Sequence, residues 1–196
     1  MKSICVFCGA RHGERVAYRH ATEGLGKLLA DEGIELVWGG GHVGLMGVVA
    51  DAVLKAGGRA FGVIPDFMAE RELEHPGATE MRVVDSMHTR KAAMAERAEG
   101  FIALPGGYGT LDELFEILTW GQLHIHRKPI GLLNVEGFYE PLIAMVRHMV
   151  AEGFVKSENL DLFCVADTPE ALLAAMRAWQ APAEDDWVPP LSMQQG

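Results

Sequence analysis

Short apolar runs alternate with longer amphipathic segments along most of the chain. The runs are hydrophobic at nearly every position, which is typical of parallel strands covered on both faces. They predict strands at residues 4–7, 34–38, 60–64, 82–84, 101–104, 129–133 and 162–165. The segments between them predict helices at residues 16–32, 45–56, 86–98, 110–123 and 139–152, with a last helix beginning at Thr168-Pro169-Glu170. This alternation predicts a single α/β domain built on a parallel sheet.

Two segments fall outside the alternation. Residues 66–80 are charged and contain Pro76-Gly77, so we expect an irregular loop that contributes to an active site. Residues 181–196 contain several prolines and polar residues, which predicts a flexible C-terminal tail. The folded domain is therefore expected to span residues 1–180.

The charge and cysteine content narrow the class of protein. A net charge of −10 argues against a nucleic-acid partner, because an acidic chain repels phosphate backbones. The N-terminal apolar run is too short for a signal peptide, and no stretch approaches the ~20 apolar residues that span a bilayer. Three cysteines, an odd number, suit reduced thiols. We therefore expect a cytoplasmic protein without a membrane partner.

Cys5-x-x-Cys8 has the spacing of a redox pair but lies in and beside a predicted strand. Residues three apart on a strand are separated by about 10 Å and face opposite sides of the sheet. A disulfide needs Cα atoms within about 7 Å of each other. The two cysteines are therefore predicted to remain unpaired.

Two predicted strands run directly into glycine-rich turns. Trp38 is followed by Gly39-Gly40-Gly41, and Leu104 by Pro105-Gly106-Gly107-Tyr108-Gly109-Thr110. Glycines at the carboxyl edge of an open sheet let backbone amides approach an anion, and the next helix N-terminus adds positive charge. Gly39, Gly40, Gly41 and Gly106 are therefore candidate phosphate-binding residues, although neither turn is a Walker loop. The alternative is that the glycines serve only tight turns.

Three segments carry the motifs of a known family. Residues 105–113 fit P-G-G-x-G-T-x-x-E, Met87-His88-Thr89-Arg90-Lys91 fits M-H-x-R-K, and residues 39–47 fit G-G-G-x-x-G-L-M-G. Their order and spacing, over residues 3–154, resemble the LONELY GUY family of cytokinin riboside 5′-monophosphate phosphoribohydrolases, often labelled possible lysine decarboxylases. The resemblance implies a Rossmann-like doubly wound sheet. It also implies hydrolysis of an N6-modified AMP to the free base and ribose 5-phosphate.

The resemblance further implies roles for individual residues. Arg90 and Glu113 correspond to the catalytic pair. The implied nucleotide-binding residues are Glu72, Arg90, Lys91, Gly107, Tyr108, Gly109, Thr110, Leu111, Asp112, Glu113 and Thr119. Residues 9–13 depart from the Ser/Asn-rich loop that is usual in the family after the first strand.

The residue types suit this chemistry but leave an alternative for Glu113. Cleavage of a C1′–N9 bond builds positive charge on the ribose, which a nearby carboxylate offsets. Arg90 is a poor general acid and is better suited to clamping ribose or phosphate and offsetting negative charge. However, Thr110-Leu111-Asp112-Glu113 also fits a capping box, in which the glutamate only bonds back to the first helical amide.

Two other functions remain open from the residues. One is a nucleosidase for unmodified AMP or another nucleoside monophosphate, and the other is a non-catalytic nucleotide or molybdenum-cofactor carrier. The pair of Arg90 and Glu113 favours a hydrolase, because a carrier does not need it. We expect no cofactor and no metal: Lys91 is accompanied by no other sign of pyridoxal chemistry, and His124-x-His126 lacks metal-site spacing.

The helix predicted at residues 110–123 is apolar over more than one stripe. Its core-facing stripe is predicted to consist of Leu111, Leu114, Phe115 and Leu118, while Trp120 and Leu123 lie away from much of it, with Ile117 and Ile125 flanking. An ordinary surface helix has a single apolar stripe about 100° wide. We therefore expect a homodimer that buries the Trp120 side, as the resemblance also implies. The alternative is coverage by another helix of the same chain.

Overall fold

The computed structural model describes residues 1–72 and 74–182, with residues 70–72 represented by their backbone alone. Its strands are β1 (Ser3–Phe7), β2 (Glu35–Trp38), β3 (Ala60–Pro65), β4 (Glu80–Val84), β5 (Phe101–Ala103), β6 (Ile130–Leu133) and β7 (Phe163–Ala166). Its α-helices are α1 (Val16–Asp31), α2 (Gly44–Lys55), α3 (Asp66–Glu72), α4 (Met87–Arg97), α5 (Tyr108–Gln122), α6 (Glu140–Ala151) and α7 (Pro169–Ala178). Two short 3-10 segments, Val135–Gly137 and Ser157–Leu162, lie beyond β6 and α6. The predicted strands and helices are all present, with ends shifted by one or two residues.

The strands of this described region form one parallel sheet in the order β4-β3-β2-β1-β5-β6-β7. The chain starts in the middle of the sheet and builds outwards to β4. It then returns to the other side of β1 and builds outwards to β7. This is a doubly wound α/β fold, as predicted, and its strand order reverses between β1 and β5.

Helices cover both faces of the sheet, which explains why its central strands are apolar throughout. Along β1, side chains alternate between two hydrophobic clusters. Ile4 and Val6 face α1, α2 and α7, whereas Cys5 and Phe7 face α4, α5 and α6. None of the helices within residues 1–72 and 74–182 is both long and apolar enough to cross a lipid bilayer.

Part of the segment predicted as an irregular loop is helical. Residues 66–72 of that segment form helix α3 directly after β3. Its first turn is supported by Asp66, whose Oδ1 accepts a hydrogen bond of 2.6 Å from the Phe67 amide. A helix of seven residues is only two turns long, so its periodicity is too short to be recognised within a charged segment.

The buried face of α5 differs from the predicted one. Phe115 was predicted to face the core but is 39% exposed, whereas the flanking Ile117 is 3% exposed. Trp120 is half-buried and packs against the core of its own chain, while Leu123 is 53% exposed. The helix begins two residues earlier than predicted. It is also covered by the sheet and by the 3-10 segment before β7, and these contacts cannot be read from a helical pattern alone.

Candidate active site

A cavity of about 480 Å³ opens beyond the carboxyl ends of β1 and β5. This is the position at which the strand order reverses, where open α/β sheets bind their ligands. The wall is formed mainly by residues 8–13 after β1 and by residues 105–110, 112 and 113. Helices α1, α2, α3 and α4 and the turn after β6 contribute the remaining lining residues. A nucleotide-sized ligand fits a cavity of this volume.

The N-terminus of α5 forms one side of this cavity. Gly107 is the N-cap residue, so the amides of residues 107–110 have no acceptor within the helix. Among the described residues, no backbone carbonyl takes a hydrogen bond from these four amides. Amides at a helix N-terminus, combined with the helix dipole, attract anions such as phosphate.

Glycine is required at position 106 for packing. A Cβ there would overlap the side chain of the buried Thr110 and would lie 2.9 Å from the Gly9 amide nitrogen. The Gly9 amide donates a hydrogen bond of 3.2 Å to the Pro105 carbonyl. The turn after β5 is therefore held against the turn after β1, and both line the same cavity.

Glu113 lies on the cavity wall in the second turn of α5 and is half-buried. Its position excludes the capping box, because the helix is capped by Gly107 and Glu113 is six residues beyond that cap. Burial raises the pKa of the Cys8 thiol, and the negative charge of Glu113 raises it further. Glu113 and Cys8, which lies just beyond the carboxyl end of β1, both line the cavity.

Arg90 lies on the same wall and is 5% exposed. Its Nε donates to the Val63 carbonyl at 3.1 Å and its Nη2 to the Gly39 carbonyl at 2.9 Å. Nη1 lies 3.8 Å from the Met87 sulfur. Burial raises the pKa of the Cys5 thiol, Glu113 raises it further and Arg90 lowers it. A guanidinium held in this way is preorganised for contact with substrate.

Gly39, Gly40 and Gly41 are buried and lie outside the cavity wall of the described region. A Cβ on Gly39 would collide with the Arg90 guanidinium. Gly40 has a φ of +78°, and the Gly41 carbonyl accepts a hydrogen bond of 3.1 Å from the Trp38 indole. This turn therefore lies behind Arg90 and supports its side chain.

The loop before β4 holds the same turn from the other side. The His75 amide donates to the Gly40 carbonyl at 3.0 Å, and Gly41 forms a β-bridge with Glu74. The buried His75 ring accepts a hydrogen bond from the Gly77 amide and lies 3.3 Å from an Asp51 oxygen. These contacts anchor the loop to α2. They also hold the glycine turn in place, including the Gly39 carbonyl that accepts the hydrogen bond from Arg90.

Lys91 does not line the cavity, although the resemblance implied a role in nucleotide binding. Its Nζ lies 3.2 Å from an Asp112 oxygen and 3.1 Å from a Glu116 oxygen, which links α4 to α5. Burial disfavours the charged ammonium, but hydrogen bonds and charge from Glu116 and Asp112 outweigh it, so the pKa of Lys91 is raised. Asp112 itself lines the cavity.

Two other implied residues lie outside the cavity wall. Leu111 is half-buried and packs against the core. Thr119 is exposed beyond the cavity, and its hydroxyl donates to the Phe115 carbonyl at 2.7 Å. The side chain of Glu72 lies outside the described residues. Gly107, Tyr108, Gly109 and Thr110, in contrast, all line the cavity.

Sequence reasoning did not identify Tyr18, Phe138 or the methionines as cavity residues. Tyr18 and Phe138 meet edge to face with centroids 5.8 Å apart, and both line the wall. The buried Tyr139 anchors this wall through a hydrogen bond of 2.6 Å from its hydroxyl to the Leu104 carbonyl. The methionines that line the cavity are Met46, Met68 and Met87. Met46 and Met87 belong to the quoted motifs but were not predicted to line a site. Tyr18, Met68 and Phe138 come from separate elements without a motif, so only the tertiary structure brings them together.

Cys5 and Cys8 are free and buried, in agreement with the prediction that they do not pair. They belong to different hydrophobic clusters on opposite faces of the sheet. Cys8 borders the cavity. Since burial raises its pKa, its thiol remains protonated and is a poor nucleophile.

Comparison with known proteins identifies the family. The sequence profile of the family described as possible lysine decarboxylase matches residues 46–176. A probable cytokinin riboside 5′-monophosphate phosphoribohydrolase of Oryza sativa subsp. japonica is 47% identical over 94% of this chain and 75% of its own length. The chain belongs to the LONELY GUY family. Two further relatives named as cytokinin riboside 5′-monophosphate phosphoribohydrolases, from the same rice and from Arabidopsis thaliana, are 46% and 44% identical. They match 91% of this chain each, and 74% and 83% of their own lengths.

Solved structures show the fold of this LONELY GUY protein in more distant proteins. A molybdenum cofactor carrier protein from Chlamydomonas reinhardtii has a TM-score of 0.70 at 22% identity, covering 90% of this chain and 96% of the carrier. A molybdenum cofactor binding protein from Rippkaea orientalis has a TM-score of 0.68 at 22% identity, covering 91% and 97%. Likeness at this level of identity establishes a common fold and nothing about the ligand.

Proposed function

We propose that this protein hydrolyses the N-glycosidic bond of an adenosine 5′-monophosphate, N6-modified as in cytokinin ribosides, to the free base and ribose 5-phosphate. The observation that carries the proposal is that Arg90, Glu113 and the N-terminus of α5 line one cavity. The relatives that are 44–48% identical are named for this reaction. The carrier alternative has less support, since its likeness is at 22% identity and extends to the fold alone.

The cavity provides a group for each charge in the reaction. The amides of residues 107–110 suit the 5′-phosphate, because they lack backbone acceptors in the described region. The Glu113 carboxylate stabilises the positive charge that develops on the ribose as the C1′–N9 bond breaks. Water then adds its hydroxyl group to C1′ and its proton ends on the base. Arg90, fixed by two backbone carbonyls, offsets negative charge on phosphate or base.

The decisive experiment is a panel of nucleoside monophosphates assayed for release of ribose 5-phosphate. We expect the 5′-monophosphate to react far better than the matching nucleoside or triphosphate. N6-modified AMP should be compared with unmodified AMP to separate the proposed activity from a general AMP nucleosidase. Equal rates with nucleoside and monophosphate would contradict phosphate recognition, and no release from any monophosphate would contradict the hydrolase.

Decarboxylation of lysine is not expected, despite the family's description. A Schiff base requires an uncharged amine, whereas Lys91 is held as an ammonium by Asp112 and Glu116. Incubation with lysine and pyridoxal phosphate should therefore release no carbon dioxide. The matched positive control is a known pyridoxal-dependent decarboxylase under the same conditions.

We also propose a homodimer formed through α5. Phe115 and Leu123 are exposed on this helix, and Thr119 is exposed between them, at the i, i+4 and i+8 positions of one face. Trp120 packs on its own chain, so the proposed contact centres on this face and reaches only the edge of Trp120. Light scattering at micromolar concentration should give the mass of two chains, and Leu123→Glu should reduce it to one. A fully active wild-type monomer would contradict the dimer.

We propose a cytoplasmic location on the basis of the thiols. All three cysteines of the sequence, Cys5, Cys8 and Cys164, are free. Free thiols are typical of a reducing compartment. Fractionation of the source cells with an antibody to this protein tests the proposal, and recovery in the membrane or extracellular fraction would contradict it.

A further inference from the structure

The cations at or beside the cavity differ in which groups already bind them. Arg90 is buried and donates to the Val63 and Gly39 carbonyls. Lys91 is bound by Asp112 and Glu116. Arg11, in contrast, lines the cavity with an exposed side chain that makes no hydrogen bond or ion pair with the described residues. Its five guanidinium donors are therefore available to a ligand.

The backbone around Arg11 is fixed although its side chain is exposed. The Gly9 amide and carbonyl bond to the Pro105 carbonyl and the Leu45 amide, at 3.2 and 2.9 Å. A Cβ on Gly44 would overlap the backbone of Ala10 and Arg11. The loop therefore lies between the start of α2 and the turn after β5, and Arg11 lines the same cavity as the α5 N-terminus.

The carboxylates on the wall oppose the binding of an anion, and a cation with free donors would offset them. Asp112 and Glu113 both line the cavity, and each repels a phosphate. The chain as a whole carries a net charge of −10, which adds to the repulsion. A guanidinium can form two parallel charge-assisted hydrogen bonds to a phosphate and offset these carboxylates.

We propose that Arg11 binds the 5′-phosphate together with the α5 amides and thereby sets the preference for nucleoside monophosphates over nucleosides. The inference rests on the proposed function and assigns its phosphate specificity to a particular residue. Arg11 recognises the part of the substrate that does not react, so its loss should affect phosphate-bearing ligands only. Arg11 differs in this respect from Glu113, which is proposed to act at the breaking bond.

The test uses the full-length protein and ribose 5-phosphate, whose binding requires no turnover. Calorimetry should show that Arg11→Gln weakens ribose 5-phosphate binding by about tenfold to a hundredfold, as expected for a lost hydrogen bond to a charged group. Arg11→Lys should lie between wild type and Arg11→Gln, because a point charge replaces the planar fork. The control is Arg19→Gln, which removes an equal charge from an exposed pair with Glu23 away from the cavity.

Kinetics then separate this proposal from the proposed function. Arg11→Gln should raise the KM for the monophosphate and leave kcat/KM for the matching nucleoside unchanged. An affinity for ribose 5-phosphate within twofold of wild type, or an equal loss with nucleoside and monophosphate, would overturn the role of Arg11. Wild-type binding of ribose 5-phosphate without hydrolysis of any monophosphate would overturn the hydrolase and leave the phosphate site standing. Failure of the wild type to bind ribose 5-phosphate would overturn the phosphate site itself.

Discussion

The two glycine-rich turns follow strands at the same edge of the sheet, yet they have different surroundings. A Cβ on Gly39 would collide with Arg90, and a Cβ on Gly47 would collide with the His42 carbonyl. A Cβ on Gly107 or Gly109 would meet nothing within 4 Å. The turn after β2 is filled by protein, whereas the turn after β5 faces the cavity.

This difference shows that a glycine-rich turn serves one of two purposes. In the first turn the missing side chain allows another part of the protein to approach, here the guanidinium of Arg90. In the second it leaves space beside the free amides of a helix N-terminus. The turn after β5, with open space at Gly107 and Gly109, is therefore the better candidate for binding phosphate. Substitutions at Gly39 and Gly109 should accordingly have effects of opposite kind.

The largest effect is expected for Glu113→Gln, beside the open turn. Removing the charge near C1′ should lower kcat by about a hundredfold to ten-thousandfold, the range for a catalytic acid–base group. The variant should remain folded, because Glu113 does not cap α5, and its melting curve is the check. Glu116→Gln on the same helix is the control, and its activity should remain near that of wild type. Near-native turnover in Glu113→Gln would remove Glu113 from the chemistry.

Arg90→Lys comes next, because it disrupts the hydrogen bond between Arg90 and the turn after β2. Lysine cannot make both hydrogen bonds to the Val63 and Gly39 carbonyls, so kcat/KM should fall by about tenfold to a hundredfold. The lost buried hydrogen bonds should reduce the free energy of unfolding by about 1–3 kcal/mol. Steady-state kinetics and urea unfolding measure the two effects. Unchanged kinetics in a folded variant would restrict Arg90 to a structural role.

Gly39→Ala tests the filled turn directly. The added methyl group must displace the Arg90 guanidinium, so the free energy of unfolding should fall by about 1–3 kcal/mol and activity should fall with it. The melting temperature and kcat/KM provide the measurement. An alanine variant with wild-type stability and activity would show that the contact between the turn and Arg90 is unimportant.

Gly109→Ala tests the open turn and should have the smallest effect on the fold, with the opposite sign. Gly109 lies in the first turn of α5 with free space around its Cβ position. Alanine there should raise the free energy of unfolding by about 0.5–1 kcal/mol, because it reduces the entropy of the unfolded chain. Ribose 5-phosphate binding should weaken, since the methyl group occupies the ligand's side of the turn. Destabilisation together with unchanged binding would show that the turn after β5 is packed against protein and does not face the ligand.

Much of the fold followed from local pattern. Runs such as residues 34–38 and 101–104 could be recognised as strands because both faces of each strand are buried. Helix α3 was missed because it is short and charged, and the core face of α5 was partly misassigned. In both cases the neighbours that cover the helix are distant in sequence and leave no local signal.

The sequence by itself determined the α/β architecture, the unpaired state of Cys5 and Cys8, and the two motifs that contain Arg90 and Glu113. These depend on periodicity, strand geometry and residue order, which are properties of short segments. Only the tertiary structure decided that the turn at Gly39 supports Arg90, although the two residues are 51 positions apart, and that Lys91 is bound by Asp112 and Glu116. It also brought Arg11 to the cavity. Contacts of this kind form only when distant segments pack, so no pattern within a single segment can specify them.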